Sequence, residues 1–461
     1  MFRRFLLTYS RYVRRNRQNL SSLSHRFAID HPSPTGSQPV PHTGPIPMID
    51  IPTAVRDGEP TVWRNPARRP AAEVLAASPL HWDDVEQAIA RWRRFAPLLA
   101  ILFPELRATG GHIDSPLLPA DAEFAHEVLG GPGRVGIKAD HDLPVTGCIK
   151  ARGGVYEVLW YAEQVARQAG LREDHAVLAG PAWRDLFATH TVVVGSTGNL
   201  GYSVGVMARA LGFAAEVHMS SDAKSWKKDR LRRIGVEVVE HAGDYTAAVA
   251  SARTSSEQRP RCHFVDDESS VHLFLGYATA ALDLHRQLDA AHLRVDAEHP
   301  LVVYLPCGVG GAPGGLTFGL KHVFGDAVRC VFVEPVDAPC MLVQLASGES
   351  RAVSVYDVGR TNRTIQDGLA VASASLFAAG MVRHLIEGIV TVTDAQALEW
   401  VKRTWEDAGL RVEPSAAAAM AAVMPWCEAN PEFDRASATH LLWTTGGGLL
   451  PDEVFLPLIA G

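Results

Sequence analysis

A lysine set among small residues is the first candidate for chemistry. In Val145-Thr146-Gly147-Cys148-Ile149-Lys150-Ala151-Arg152-Gly153-Gly154 it precedes a helical pattern, GGVYEVLWYAEQVA. An ammonium with an ordinary pKa of about 10.4 becomes a nucleophile when desolvated or held beside another cation. Arg152 is placed to be that neighbour. A lone lysine is usually just solvated, so the segment needs company.

Three glycine-rich elements supply it. Gly195-Ser196-Thr197-Gly198-Asn199-Leu200-Gly201 follows the apolar run HTVVV and opens a helical pattern. Hydroxyls and free backbone N–H groups at a helix N-terminus make an anion site, and these small side chains suit a carboxylate more than a diphosphate. A capped tight turn is the plain alternative. Gly308-Val309-Gly310-Gly311-Ala312-Pro313-Gly314-Gly315 follows LVVYLP and holds five glycines in eight residues. Such a loop lets backbone approach a phosphate closely and surround it with N–H donors. It nearly matches the dinucleotide pattern G-x-G-x-x-G, and Glu334 ends the next strand where a ribose-binding acid belongs. Pro313 stands where the last glycine should be, and no Gly-Lys-Ser/Thr ending follows. A single phosphate fits better than a dinucleotide or ATP. Trp443-Thr444-Thr445-Gly446-Gly447-Gly448 ends the strand pattern HLLW and alone is only a turn.

These loops need a scaffold that brings strand ends together. From residue 190 onward, apolar runs alternate with helical stretches: HTVVVG, AAEVHMS, VEVVEH, CHFVDD, LVVYLP, AVRCVFVEP and HLLWTT are the strands. Continuous apolar strands separated by helices of 10–15 residues imply parallel sheets covered on both faces. The class is α/β, with ligands at the carboxyl ends of strands. Residues 60 to 130 read as helical, with HWDDVEQAIARWRRFAPLLAILFP starting on an aspartate cap and Arg91, Arg93 and Arg94 on its solvated face. The basic helix carrying Lys224, Lys227, Lys228, Arg230, Arg232 and Arg233 reads as a solvated face too.

Composition narrows the class. The 461 residues carry 44 Lys and Arg against 51 Asp and Glu, net −7, which argues against a dedicated nucleic-acid binder. The longest apolar run, FAPLLAILF, is far short of the roughly 20 residues that cross a bilayer. Six dispersed cysteines show no zinc spacing and read as reduced, buried thiols of a cytoplasmic protein. Residues 1–29 hold seven arginines and no acid, and the run DHPSPTGSQPVPHTGP follows. That leader is either an organelle transit peptide or an extension ahead of a natural start at Met48. A basic arm touching RNA or membrane is a further reading.

The order lysine segment, STGN loop, glycine loop, Thr-Gly strand end resembles fold-type-II pyridoxal-phosphate enzymes of the tryptophan synthase β and serine/threonine dehydratase superfamily. Within it the chain is most similar to the D-serine dehydratases (D-serine ammonia-lyases). TGCIKARGGVYEVL, VGSTGNLGYSVG, VHMSSDAKSWKK, VDDESS, FLGYATA, VYLPCGVGGAPGG, EPVDAPCML, QDGLAV, EPSAAAAM and WTTGGGLLP carry the likeness, from about Met48 to the C-terminus.

The resemblance implies two domains, each with a mostly parallel sheet, and the cofactor in the cleft between. Expected boundaries are 48–185 with 280–461 for the large domain, 186–279 for the small one, and 1–47 for the extension. Lys150 matches the lysine that carries pyridoxal phosphate covalently. Gly308, Val309, Gly310, Gly311 and Ala312 match the phosphate cradle, with Ala312 where a further glycine is common. Asn199 matches the partner of the cofactor's 3′-oxygen, and Ser196 and Thr197 the substrate-carboxylate loop. Thr445 matches the hydroxyl beside the pyridine nitrogen, which suits β-elimination over transamination. Tyr245 and Asp267 match pocket positions, and Thr197 and Asp267 would steer the substrate hydroxyl. Glu334, Ala338 and Cys340 match the surroundings of a monovalent cation, expected to be K⁺. The implied reaction turns D-serine into pyruvate and ammonia in a monomeric, cytoplasmic enzyme.

Two alternatives stay open. A relative acting on L-serine or L-threonine, or a racemase, would share the motifs. An NAD-dependent oxidoreductase would explain Gly308 and Glu334 but leave the surroundings of Lys150 without a purpose.

Overall fold

Apolar runs bounded by helices should stack as buried parallel strands, and in the computed structural model they form two sheets. The structure describes residues 51–460, apart from Glu173, Thr197, Asp222, Gly243, Asp244, Phe433 and the side chains of residues 245–248. The arginine-rich leader, the proline-rich run and Met48 lie outside the described residues.

The strands are β1 (Val62–Arg64), β2 (Leu117–Pro119), β3 (Arg134–Ala139), β4 (Thr191–Gly195), β5 (Ala214–Ser220), β6 (Glu237–His241), β7 (Cys262–Val265), β8 (Leu301–Pro306), β9 (Val328–Pro335), β10 (Gly388–Val392) and β11 (Thr439–Thr444). A seven-stranded sheet runs β1-β10-β9-β8-β11-β3-β2, and a four-stranded sheet runs β6-β5-β4-β7. The four-stranded sheet is parallel throughout. In the larger one only the edge strands β1 and β2 run antiparallel to their neighbours. Those edges fall in the region read as wholly helical. At three residues each they are too short to show a strand period, and Pro119 can sit in β2 because edge positions do not need its missing N–H.

Every residue of β8, β10 and β11 is buried. One face is covered by the helix Pro414–Ala421, whose alanines are small enough to lie directly on β8, β9 and β11. On the other side, Phe274 and Ala278 of the helix Val271–Ala278 pack with Phe318 of the helix Gly311–Phe324. A Cβ on Gly315 or Gly319 would collide with the carbonyls of Phe274 or Ala278, so glycine sets that close approach.

The helix Trp82–Leu102 forms as its periodicity predicts, but its cap is a box between His81 and Asp84. Its arginines are not simply solvated. Arg91 and Arg94 donate to the buried carboxylate of Glu163 at 2.8 Å, and His175 lies 3.0 Å from the same group. Burial would raise the Glu163 pKa, but these donors more than offset it and hold it well below the usual range. Among the described residues no helix is long and apolar enough to cross a membrane. All six cysteines are free, and five of them are buried.

Beneath the Lys150 segment lies a buried charge cluster. Arg152 Nε donates to Asp140 Oδ2 at 2.7 Å and its Nη2 to Oδ1 at 2.8 Å. Trp443 Nε1 and the Ser115 hydroxyl complete the Asp140 carboxylate at 2.8 and 2.6 Å. Arg152 also reaches Asp114 at 3.1 Å, and the buried ammonium of Lys138 joins that acid at 2.9 Å. Arg152 therefore spends its charge beneath the lysine segment and does not serve as an activating neighbour for Lys150. Replacing it by leucine would leave Asp140 charged, buried and unpaired. Arg152→Leu should lower the unfolding free energy by roughly 3–5 kcal/mol, read by chemical denaturation. A loss below about 1 kcal/mol would show that the cluster is not fully desolvated.

Candidate active site

Chain segments leaving the carboxyl ends of β3, β4, β7, β8 and β11 meet around one cleft, where the parallel topology places a ligand. Lys150, Ser196, Asn199, Asp267, Gly308, Val309, Gly310, Ala312 and Thr445 all line it. The cleft holds about 810 Å³ of empty space, part of it open to solvent.

Lys150 is placed by backbone. Ile149 N–H donates to Thr445 O at 2.8 Å, and Cys148 bridges to Gly446, so the lysine segment is stitched to the end of β11. Before it, Val145 takes φ +78°, strained for a β-branched residue, and Gly147 takes φ +60°. After it comes a single π-helical turn, Ala151–Val155, that feeds the helix Tyr156–Gln168. The Lys150 ammonium lies 3.8 Å from Asp267 Oδ2 and 5.8 Å from the centre of the Tyr277 ring. Asp267 Oδ1 and the Tyr277 hydroxyl are buried with no hydrogen-bond partner among the described residues. Buried polar atoms left this way ask for a ligand.

The loop after β8 is shaped by its glycines. Gly310 takes φ +109°, and a Cβ there would collide with Met341 Cε. A Cβ on Gly308 would lie 3.0 Å from Gly368 O. The helix Gly311–Phe324 starts directly behind, its N–H groups facing the cleft end. Ala312 and Val309 line the cleft as well, so a Cβ at position 312 is accommodated.

At the β4 end, Ser196 Oγ accepts from Gly198 N–H at 3.3 Å and Gly201 N–H at 3.1 Å. Its hydroxyl oxygen therefore caps the helix Asn199–Leu211. Asn199 Nδ2 donates to Glu413 Oε1 at 3.0 Å. Thr197 and the side chain of Tyr245 lie outside the described residues.

Glu334, Ala338 and Cys340 sit behind the glycine loop and do not line the cleft. Glu334 is fully buried; its two oxygens accept from Met341 and Leu342 N–H at 2.7 and 2.9 Å. Cys340 Sγ donates to Gly308 O at 3.2 Å, which ties this group to the loop. Burial pushes the Glu334 pKa up to about 8, against the pull of the two amides. A wholly buried Glu334 also has no surface to offer a ribose, which removes the dinucleotide role.

Residue-by-residue reading missed Asp367, Glu413 and Ser415, which line the cleft too. QDGLAV and EPSAAAAM contain them, so the signal lay in the motifs, though no role was attached to their acids. Burial and nearby Asp367 push the Glu413 pKa up to about 7. Lys227 was also missed. Its side chain is only 14% exposed and its ammonium bonds Asp367 Oδ2 at 2.8 Å, and Lys228, buried as well, donates to Ser221 O and Glu240, so the basic helix Ser225–Arg233 turns two of its charges away from solvent.

The family model described as pyridoxal-phosphate dependent enzyme matches residues 108–438. A probable D-serine dehydratase of Acidovorax ebreus (strain TPSY) is 52% identical over 427 residues, covering 88% of this chain and 95% of that protein. One from Chromobacterium violaceum is 52% identical over 406 residues, covering 85% and 91%. The solved structure of diaminopropionate ammonia lyase from Escherichia coli in complex with D-serine superposes with a TM-score of 0.67. It is 16% identical and covers 87% of this chain and 97% of that one.

The buried Glu334 makes stability depend on pH. Its folded pKa, about 8, lies above the ordinary 4.5, so the folded chain holds a proton that the unfolded chain releases. The stabilisation is complete below about pH 4.5 and is lost as pH rises through about 8. In buffers whose only cation is tetramethylammonium, the melting temperature should fall across that window. Glu334→Gln should remove about one proton's worth of the slope. An unchanged slope would mean that Glu334 is ionised in the fold without help.

Proposed function

The chain belongs to the pyridoxal-phosphate dependent enzyme family, and we propose that it converts D-serine to pyruvate and ammonia. The observation that carries this reading is the convergence of Lys150, Asp267, Thr445 and the Gly308–Gly310 loop on one cleft. The likeness to D-serine dehydratases at 52% identity supports the substrate.

The residues fit pyridoxal phosphate. The glycine loop forms a cradle in which added Cβ atoms would clash, and Lys150 reaches the cleft with its ammonium 22% exposed. Asp267, with an unpartnered buried carboxylate oxygen, lines the same cleft. When bound, the cofactor supplies an electron sink for the charge left at the substrate's Cα. The backbone N–H groups after β8 would hold its phosphate. Lys150 Nζ would hold it covalently. The amine of Lys150 would take the Cα proton and, as an ammonium, return it to the departing β-hydroxyl, so that water leaves, while Asp267 beside it would orient that hydroxyl. Acid–base help of this kind contributes about 10²–10⁴-fold. Asn199, held by Glu413, would bond the ring's 3′-oxygen, and the Thr445 hydroxyl would face the ring nitrogen. Ser196 and Thr197 would receive the carboxylate end of the substrate, and Tyr245 would line its pocket.

The Glu334 carboxylate, buried with no cationic side chain bonded to it among the described residues, favours a monovalent cation nearby, and K⁺ is our reading. A cytoplasmic location, which six free cysteines support, and a monomeric state, testable by light scattering, are likewise our reading.

Pyruvate release should be rapid on D-serine and much slower on L-serine and L-threonine. Lys150→Ala should lose both the violet-edge absorbance expected of the lysine-bound cofactor and all turnover. Pyruvate formation by that variant, or preference for the L substrate, would overturn the reading. Potassium chloride should restore the melting temperature lost as pH rises through about 8 in tetramethylammonium buffer, because a cation beside Glu334 stabilises the ionised carboxylate that burial disfavours. Equal melting temperatures with both salts would remove the cation.

A further inference from the structure

Lys224 and Lys227 are the only two groups that bond the Asp367 carboxylate among the described ion pairs, at 3.0 and 2.8 Å, both on Oδ2. The lysines stand at the start of the helix Ser225–Arg233, between β5 and β6 of the four-stranded sheet. Asp367 stands in the segment between β9 and β10 of the seven-stranded sheet. The ion pair therefore joins the two sheets across the mouth of the cleft. Burial would raise the Asp367 pKa, but the two ammonium groups more than offset it and keep the carboxyl below its usual range.

What lies at each end of the pair matters more than its charge. On one side, a Cβ added to Gly198 would sit 3.5 Å from Lys227 Nζ, so the ammonium backs the loop that carries Ser196, Gly198 and Asn199. On the other side, Gly368 follows Asp367 directly. Its N–H donates to the Ser415 hydroxyl at 3.0 Å, and its carbonyl abuts Gly308 of the glycine loop. Lys227 thus spans from the loop at the β4 end to the segment packed on the loop at the β8 end. Lys224, 53% exposed, adds a second and looser hold on the same oxygen. Exposed ion pairs are worth little, but a cation buried to this degree loses most of its competition from water.

We propose that Lys227 is a positioning residue for substrate binding. Its ion pair with Asp367 is a latch that fixes Gly198, and with it Ser196 and Asn199, relative to the Asp367–Gly368 segment. This rests on the reading that the loop receives the substrate's carboxylate. A latch of this kind acts before chemistry, so its loss appears in KM more than in kcat. It is also electrostatic, so salt weakens it.

The test uses the holoenzyme with D-serine. Lys227→Met should raise KM about tenfold while kcat changes by less than about threefold. Lys227→Arg should recover most of the loss. Asp367→Asn should resemble Lys227→Met, and the double variant should be no more than about twofold worse than either single one. Added sodium chloride should raise KM in the wild type and not in Lys227→Met. A wild-type KM in Lys227→Met, or full additivity in the double variant, would overturn the proposal. Amide hydrogen exchange keeps the latch separable from the assigned reaction. Residues 198–202 should exchange faster in Lys227→Met holoenzyme than in the wild type, whether or not D-serine is turned over. Unchanged exchange there would also overturn the latch. Failure of the wild type to release pyruvate, with the exchange difference present, would overturn only the reaction assignment.

Discussion

The closure of Arg152 on Asp140 is the contact on which the rest depends. Asp140 directly follows β3, Trp443 lies in β11, and Arg152 stands two residues beyond Lys150. One carboxylate receives the guanidinium, the Trp443 indole and the Ser115 hydroxyl, so three separate chain segments are fixed to one point. Its burial makes the pairing obligatory, because an uncompensated charge there would cost several kcal/mol. With that point fixed, Ile149 can bond Thr445 and the lysine can face the cleft. The lysine's own side chain adds only the 3.8 Å approach of its ammonium to Asp267.

Around the cleft, the chain places carboxylates where water does not reach them. Glu334 is held by two amides and Glu413 by Asn199, and burial pushes both pKa values toward or above neutrality. Asp367 lies on the other side of the balance, because two lysines hold it ionised. Neighbouring acids thus differ in charge state according to their partners. That contrast gives Asn199 a fixed orientation and gives the cleft mouth a charged contact between the two sheets.

Much of this was legible in the residues. The apolar strands β4, β5, β8, β9 and β11 were plain because burial on both faces leaves continuous apolar runs. The glycine loop and the lysine segment were plain because close backbone approach demands small residues. Three kinds of feature were not. The edge strands β1 and β2 are three residues long and carry no period. The destinations of Arg91, Arg94 and Lys227 were misread, because a basic side chain on a helix looks solvated until its acidic partner, 69 to 140 residues away, is known, and Arg152 was read as a neighbour of Lys150 although its acid, Asp140, stands 12 residues before it. The roles of Asp367 and Glu413 depend on long-range packing against Lys227 and Asn199, which spacing along one segment does not encode.

The central claim is that Lys150, held by this network, carries the cofactor in the cleft. Borohydride reduction of the enzyme with pyridoxal phosphate, followed by peptide mass spectrometry, tests it most directly. The account predicts one stoichiometric pyridoxyl label, on the peptide containing Lys150, and loss of that labelling when D-serine is added before the reductant. A label on any other lysine, or no label while D-serine is still converted to pyruvate, would contradict it.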